Sequence, residues 1–429
     1  MRDRAATTRP VSADADTCGA FQASIRRLRR PRASNQSLAV CLTGQLRLFM
    51  ISLPALIEHA LAELSADTRV DFFHVGPADG SFAHGRRWLQ HLPGLQACFL
   101  YAPALRFASR ADAPIYEEVA ATNRSSKRRG AATATPLRHH ASRTDAASAV
   151  PPGLLLPSEL SLPVPSAALP SIRFGLRATG CTEKNARSRL VQAWQARRCL
   201  RLVEAHEAAE SARRGTPWRY DALLRVRADA LPTRRLPLST QQLRARLLAR
   251  PAYTPLDGCP PRGDGRLAHH DFALLGRRDV MGTALRAIDE LEAPPRHDGG
   301  HRAARARPAC DFERLAGGAV RRALPHAECV DLPGGGGAAV ASVRGNVRDG
   351  CFFLDVESPP NDGEPQPRLP ALGLHGAADV ARRCLGLEEL RDFRRPGDGA
   401  GCRPRGGWDG DFRTAASPWD EGPPNQGAG

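Results

Sequence analysis

YDALLRVRAD, residues 220–229, is an apolar run that finishes in Arg225, Arg227 and Asp229. Its centre, Ala222 to Val226, has the length and aliphatic content of a buried strand. In an open parallel sheet, ligands gather outside the carboxyl ends of the strands, where the loops face a crevice and the following helices point their positive ends. Charges collected at one end of such a run therefore predict a binding site there. A salt bridge that merely closes the strand end is the alternative reading of the same residues.

The rest of the chain supports the sheet. SLAVCLTGQLRLF (37–49) opens with a continuous apolar run from Leu38 to Leu42 and stops at Gly44, a strand entering a turn. In ISLPALIEHALAELSA (51–66), Leu53, Leu56, Ile57, Ala60, Leu61 and Leu64 fall at helical spacing, with Pro54 tolerated in the first turn. RVDFFHVG (69–76) and ACFLYAP (97–103) are two further strands. In the long helix predicted before Tyr220, Val191, Trp194, Cys199, Leu202, Val203 and His206 trace one broad face, and His206 reads as a core-edge histidine. HDFALLG (270–276) is a strand running into RRDVMGTALRAIDELE, and residues 311–332 read as a last helix and strand. Strands alternating with helices predict an α/β fold with a single Rossmann-like, parallel or mixed sheet.

Segments poor in apolar periodicity divide the chain. Residues 1–36 are expected to be a disordered basic arm, 104–171 a disordered insertion, and 334–429 a largely disordered tail apart from CFFLDV and AADVARRCLGLEEL. The domain itself is assigned to 37–103 and 172–333. No stretch of about 18 apolar residues exists, and the amino-terminal segment lacks the apolar centre of a signal peptide. A soluble chain is expected, in the Golgi or secretory lumen or in an organelle if 21–34 is a targeting arm.

The net charge of +16 points toward polyanionic partners. Yet only Lys127 and Lys184 of the 61 basic residues are lysines, and arginine arrives with excess alanine, glycine and proline, the residues of GC-rich codons. The charge is therefore read as coding bias, and nucleic acid is not the expected partner. The eleven cysteines form no zinc-type spacing. Their odd number leaves a free thiol, and Cys41, Cys98 and Cys199, inside apolar runs, read as small buried hydrophobes.

The strand ends bring together Thr43, Gly44, Gln45 and Arg47 after the first strand, His74 in the second, and Arg225, Arg227 and Asp229. A carboxylate beside guanidinium groups suits a diphosphate with its divalent cation, Asp229 holding the metal and an arginine the phosphate oxygens. Gly44 lets backbone approach a nucleotide, or simply ends the strand. There is no GKS or GKT, no GxGxxG and no GxSxG, which removes P-loop, dinucleotide and α/β-hydrolase readings. In AHHDF, His269 or His270 is a candidate metal ligand and Asp271 a candidate base, against the reading of ordinary loop residues.

Taken in order, VCLTGQLRLF, VDFFHV, QAWQARRCLRLVEAHE directly before YDALLRVRAD, and HHDFALLGRRDVM resemble a family of glycosyltransferase-like proteins from algae and bacteria. The resemblance covers about 38–102 and 180–332. It implies a nucleotide-sugar-binding fold of the glycosyltransferase A type, in which a carboxylate motif at a central strand end binds Mn²⁺ or Mg²⁺ and the donor diphosphate. In this chain RAD stands where the usual D-x-D motif is found, so that Asp229 is the surviving carboxylate and Arg227 occupies the place of the first aspartate. His270 stands where the family shows Asn. The function expected is glycosyl transfer from a nucleotide-sugar donor to a glycan or other hydroxyl acceptor, with Asp271 as base if the reaction inverts. The rivals are a catalytically silent nucleotide-sugar-binding or scaffold protein of the same fold, and a basic nucleic-acid-binding protein using the arginine runs at 26–32 and 127–129.

Overall fold

A computed structural model describes residues 36–46, 49–61, 68–78, 80–101, 107–109, 116–119, 153–160, 171–174, 183–232, 241, 243–256, 258–261, 265–268, 272–291, 312–331, 340–346 and 351–355. The core is a mixed sheet of eight strands. In chain order they are β1 (Gln36–Thr43), β2 (Thr68–Pro77), β3 (Leu95–Tyr101), β4 (Leu154–Leu155), β5 (Ala222–Arg227), β6 (Ala252–Pro255), β7 (Ala273–Arg277) and β8 (Glu328–Cys329). Across the sheet the order is β8-β6-β7-β5-β1-β2-β3-β4. The four central strands β5, β1, β2 and β3 are parallel, while β7 runs antiparallel to β5 and to β6.

That order follows from how the chain is wound. It builds outward from β1 through β2 to β3, then crosses back to lay β5 on the other side of β1. The carboxyl ends of β1 and β5 therefore stand side by side at the point where the winding reverses, the location at which open α/β sheets hold ligands. Central strands buried on both faces read as unbroken apolar runs, and all eight residues of β1 are buried.

One face of the sheet packs on α1 (Phe49–Ala55) and α2 (Gly80–His91), with Leu38, Val40, Leu42, Phe72 and Leu224 meeting Phe49, Leu53 and Trp88. The other packs on α3 (Glu183–Arg214), α4 (Arg278–Leu285) and α5 (Phe312–Ala323), where Ala39, Phe73, Val75 and Leu223 meet Trp194, Val203, Val280 and Val320. Pro54 lies at the sixth position of α1, beyond the first turn expected for it, and a π-helical stretch, Leu56–Leu61, follows directly. Proline offers no amide hydrogen to the α ladder, so a change of helical pitch beside it is the physical outcome.

Buried polar links fix α3 against the sheet. Asp71 accepts from Tyr220 Oη at 2.7 Å and Gln96 Nε2 at 2.9 Å, and pairs with Arg69 at 2.7 Å. His206 stacks on Tyr220 and meets Arg69 at 3.2 Å, the core-edge role its position on the helix predicts. At the start of α4, Arg278 donates to both carboxylate oxygens of Glu207 at 2.7 and 2.9 Å, in a fully enclosed pair.

Three findings bear on the expectations. Cys41 and Cys199 are not separate buried thiols: they form a disulfide, as do Cys259 and Cys329, while among the described residues Cys98 is a buried free cysteine. Helix α3 lies across β1, so cysteines 158 positions apart meet with 5.9 Å between Cα atoms, a proximity that local spacing does not encode. Second, the segment 104–171 supplies β4, which pairs with β3, and Leu160, which is wholly buried. Strands at Phe107–Ser109, Tyr116–Val119 and Ser171–Phe174 form a separate small sheet. Third, in the tail Val340–Asn346 pairs with both Ala230–Pro232 and Cys351–Asp355, the latter within the expected CFFLDV. Such strands are too short to give a periodic signal. The segment AADVARRCLGLEEL lies outside the described residues, as does the amino-terminal arm. No helix among the described residues is long and apolar enough to cross a membrane.

Candidate functional site

The site is built by the backbone register of two strands. Thr43 of β1 lies opposite Arg227 of β5, and the Thr43 carbonyl accepts from the amide of Ala228 at 2.8 Å, so the two chain ends leave the sheet together. Gly44 turns away at φ +105°, in the left-handed region that favours glycine, and its amide donates to the Val75 carbonyl at 2.9 Å. Among the described residues, a Cβ on Gly44 would meet nothing within 4 Å. Gly44 and Gln45 are partly exposed.

Arg227 and Asp229 occupy the neighbouring strand end. Arg227 donates from Nε to Asp229 Oδ1 at 2.9 Å and from Nη2 to Oδ2 at 2.6 Å, a two-pronged charge-assisted pair. The guanidinium carbon stands 5.2 Å from the centre of the Phe272 ring, and the Arg227 amide donates to the Phe272 carbonyl at 2.8 Å. The two side chains remain 20% and 25% exposed, enough for a solute to reach them. Ser52 of α1 donates to the Ala228 carbonyl at 2.6 Å and pins the turn between them.

Two of the expected residues lie deeper. Arg225 is wholly buried, its guanidinium carbon 4.6 Å from the centre of the Phe312 ring at the start of α5. It sits two residues inside the strand, so its side chain enters the helical layer and only Arg227, the last residue of β5, reaches the edge. His74 is also wholly buried, and its ring lies under Gly76: a Cβ there would sit 2.6 Å from Nε2 and 2.4 Å from the Gly44 carbonyl oxygen. Among the described residues, neither ring nitrogen reaches a partner in hydrogen-bond geometry. Burial holds its pKa down at about 3, slightly offset by the nearby Leu42 carbonyl, so the ring is neutral in ordinary buffers. The Thr43 hydroxyl is buried and likewise finds no hydrogen-bond partner among the described residues. Arg47, His269, His270 and Asp271 lie outside the described residues.

Among the described residues the donor set offers a divalent cation little. Both Asp229 oxygens are engaged by Arg227, and among the described residues no three His, Cys, Asp or Glu side chains converge on one point. A hard cation of this kind takes oxygen ligands, several of them anionic. Of the groups now seen to shape the site, Phe272 and Ser52 were not singled out in the sequence. Phe272 sits at the mouth of an apolar strand and Ser52 beside the apolar face of a helix, and both look like ordinary packing until β7 and α1 are placed around Arg227 and Ala228. No protein-family model, no curated protein and no solved structure matches this chain.

Proposed function

We propose that the chain binds a nucleotide-sugar donor at the joint carboxyl end of β1 and β5 and transfers its glycosyl group to a hydroxyl acceptor, on a Rossmann-like fold of the glycosyltransferase A type. The observation that carries this reading is the placement of the Gly44 backbone beside the Arg227–Asp229 pair, at the one point of the parallel sheet where the winding reverses. Glycosyl transfer builds negative charge on the departing diphosphate, and a guanidinium held at a strand end stabilises that charge as it forms. An antiparallel strand next to β5 is compatible with the same fold type.

A second reading has its own support. Because Asp229 is already engaged by Arg227, a protein of this fold that binds the donor without turning it over is the direct rival. Incubating the full chain with a panel of nucleotide sugars, and following both binding by calorimetry and release of nucleoside diphosphate by chromatography, separates the two. Binding with release supports transfer, binding without release supports the silent protein, and no binding to any donor refutes both.

A further inference from the structure

We propose that Arg227, rather than a divalent cation, neutralises the diphosphate at this site; the proposal rests on the reading of the chain as a nucleotide-sugar protein. The resemblance implies a metal bound by a carboxylate at this strand end, and the side chains are arranged for something else. Asp229 gives both of its oxygens to Arg227, at 2.9 and 2.6 Å. A cation seated on that carboxylate would have to break two charge-assisted bonds and then lie against a guanidinium of the same sign. Arg225 is enclosed against Phe312, so the guanidinium that meets solvent at this strand end is that of Arg227.

The same contacts prepare Arg227 to act on an anion. A guanidinium carries its N–H donors in a rigid fork, and Nε and Nη2 of Arg227 are oriented by Asp229. That pair fixes the plane of the group at one end, while the Phe272 ring, 5.2 Å from the guanidinium carbon, lies against it. A side chain that would otherwise lose much rotamer freedom on binding is held in place beforehand. Thr43, the residue before Gly44, is in register with Arg227 on the adjacent strand, about 4.8 Å away at ordinary strand spacing. A diphosphate resting on the Gly44 backbone would lie one strand away from the backbone of Arg227. Asp229 is in this view a positioning residue that acts through Arg227.

The test is titration calorimetry of UDP and GDP into the full chain, once in EDTA and once with Mn²⁺. The expected result is an affinity in EDTA within about twofold of that in Mn²⁺, and a loss of about ten- to a hundredfold in Arg227→Met, the size of one charge-assisted contact. Arg227→Lys, which keeps the charge without the fork, is expected to bind more weakly than the native chain yet remain indifferent to EDTA. It carries the test if Arg227→Met fails to give a cooperative unfolding transition. Binding that appears only with Mn²⁺ overturns the proposal and leaves the nucleotide-sugar reading standing. Absence of nucleoside diphosphate binding under both conditions overturns that reading and this one with it. Unchanged EDTA-resistant affinity in Arg227→Met assigns the anion to other groups and also overturns the proposal.

Discussion

Gly76→Ala tests how tightly the site is supported from below. A Cβ at this position would lie 2.4 Å from the Gly44 carbonyl oxygen, 2.6 Å from His74 Nε2 and 2.8 Å from His74 Cε1. Contacts this short force movement, and the first of them is to backbone. His74 has little room to yield, being wholly buried. Overpacking of this kind costs about 1–3 kcal/mol. Against it, alanine in an extended segment restricts the unfolded chain and returns about 0.4–1 kcal/mol. The net loss is about 1–2 kcal/mol, which for a domain of 150–250 residues lowers the melting temperature by roughly 2–8 °C. Because the Gly44 carbonyl has to move, nucleoside diphosphate affinity is expected to fall as well. Differential scanning calorimetry and titration of the same preparation give both readings. The comparison is Gly44→Ala, where no described atom obstructs the new Cβ and the expected cost is that of backbone strain, about 1–2 kcal/mol. A Gly76→Ala protein that melts at or above the native temperature would refute the packing described here.

Glu207→Gln takes the two-pronged carboxylate from the enclosed Arg278, leaving Glu204 at 3.7 Å, and is expected to lower the unfolding free energy by about 1–3 kcal/mol in a urea titration. Tyr220→Phe removes a donor to Asp71 and is expected to cost about 1–3 kcal/mol by the same measurement. The folded pKa of His74 lies below its unfolded value near 6.5, so the stability tied to its neutral form is complete above about pH 6.5 and is lost as pH falls toward about 3, at up to roughly 1.4 kcal/mol per unit. His74→Met is expected to flatten that part of the pH–stability curve measured by chemical denaturation. Asp229→Asn is expected to cost at most about 1 kcal/mol of stability, since its partly exposed pair with Arg227 is screened, while loosening Arg227 and weakening nucleoside diphosphate binding; unchanged affinity would exclude Asp229 as a positioning residue.

The central strands were legible because each is an unbroken apolar run, Leu38 to Leu42 being the clearest. The direction of β7 was not, since ALLGR reads the same in a parallel or an antiparallel partner, and its reversal is set by where the chain enters from β6. At the site, the turn at Gly44 and the charged end of β5 were legible from residue type and position. The depth of Arg225 was not, because an arginine two residues from a strand end looks identical in sequence to one at the edge. Its burial depends on Phe312, which arrives from 87 positions away. His74 had the opposite fate: a histidine near a strand end suggested contact with solvent, and the glycine two residues on allowed its ring to fold underneath instead.

The bond between Cys41 and Cys199 joins the part of the domain that precedes the 104–171 segment to the part that follows it. A protease that cuts anywhere within that segment would therefore produce two fragments that remain one covalent molecule, with β5 still bonded edge to edge against β1. On a gel run without reductant the clipped protein would migrate as a single chain, and only with a thiol added would two bands separate. Activity that survives the cut and disappears when thiol is added, in a Cys259→Ser/Cys329→Ser background as well, would mean that the bond between Cys41 and Cys199 holds the sheet at the site together between pieces that are no longer continuous.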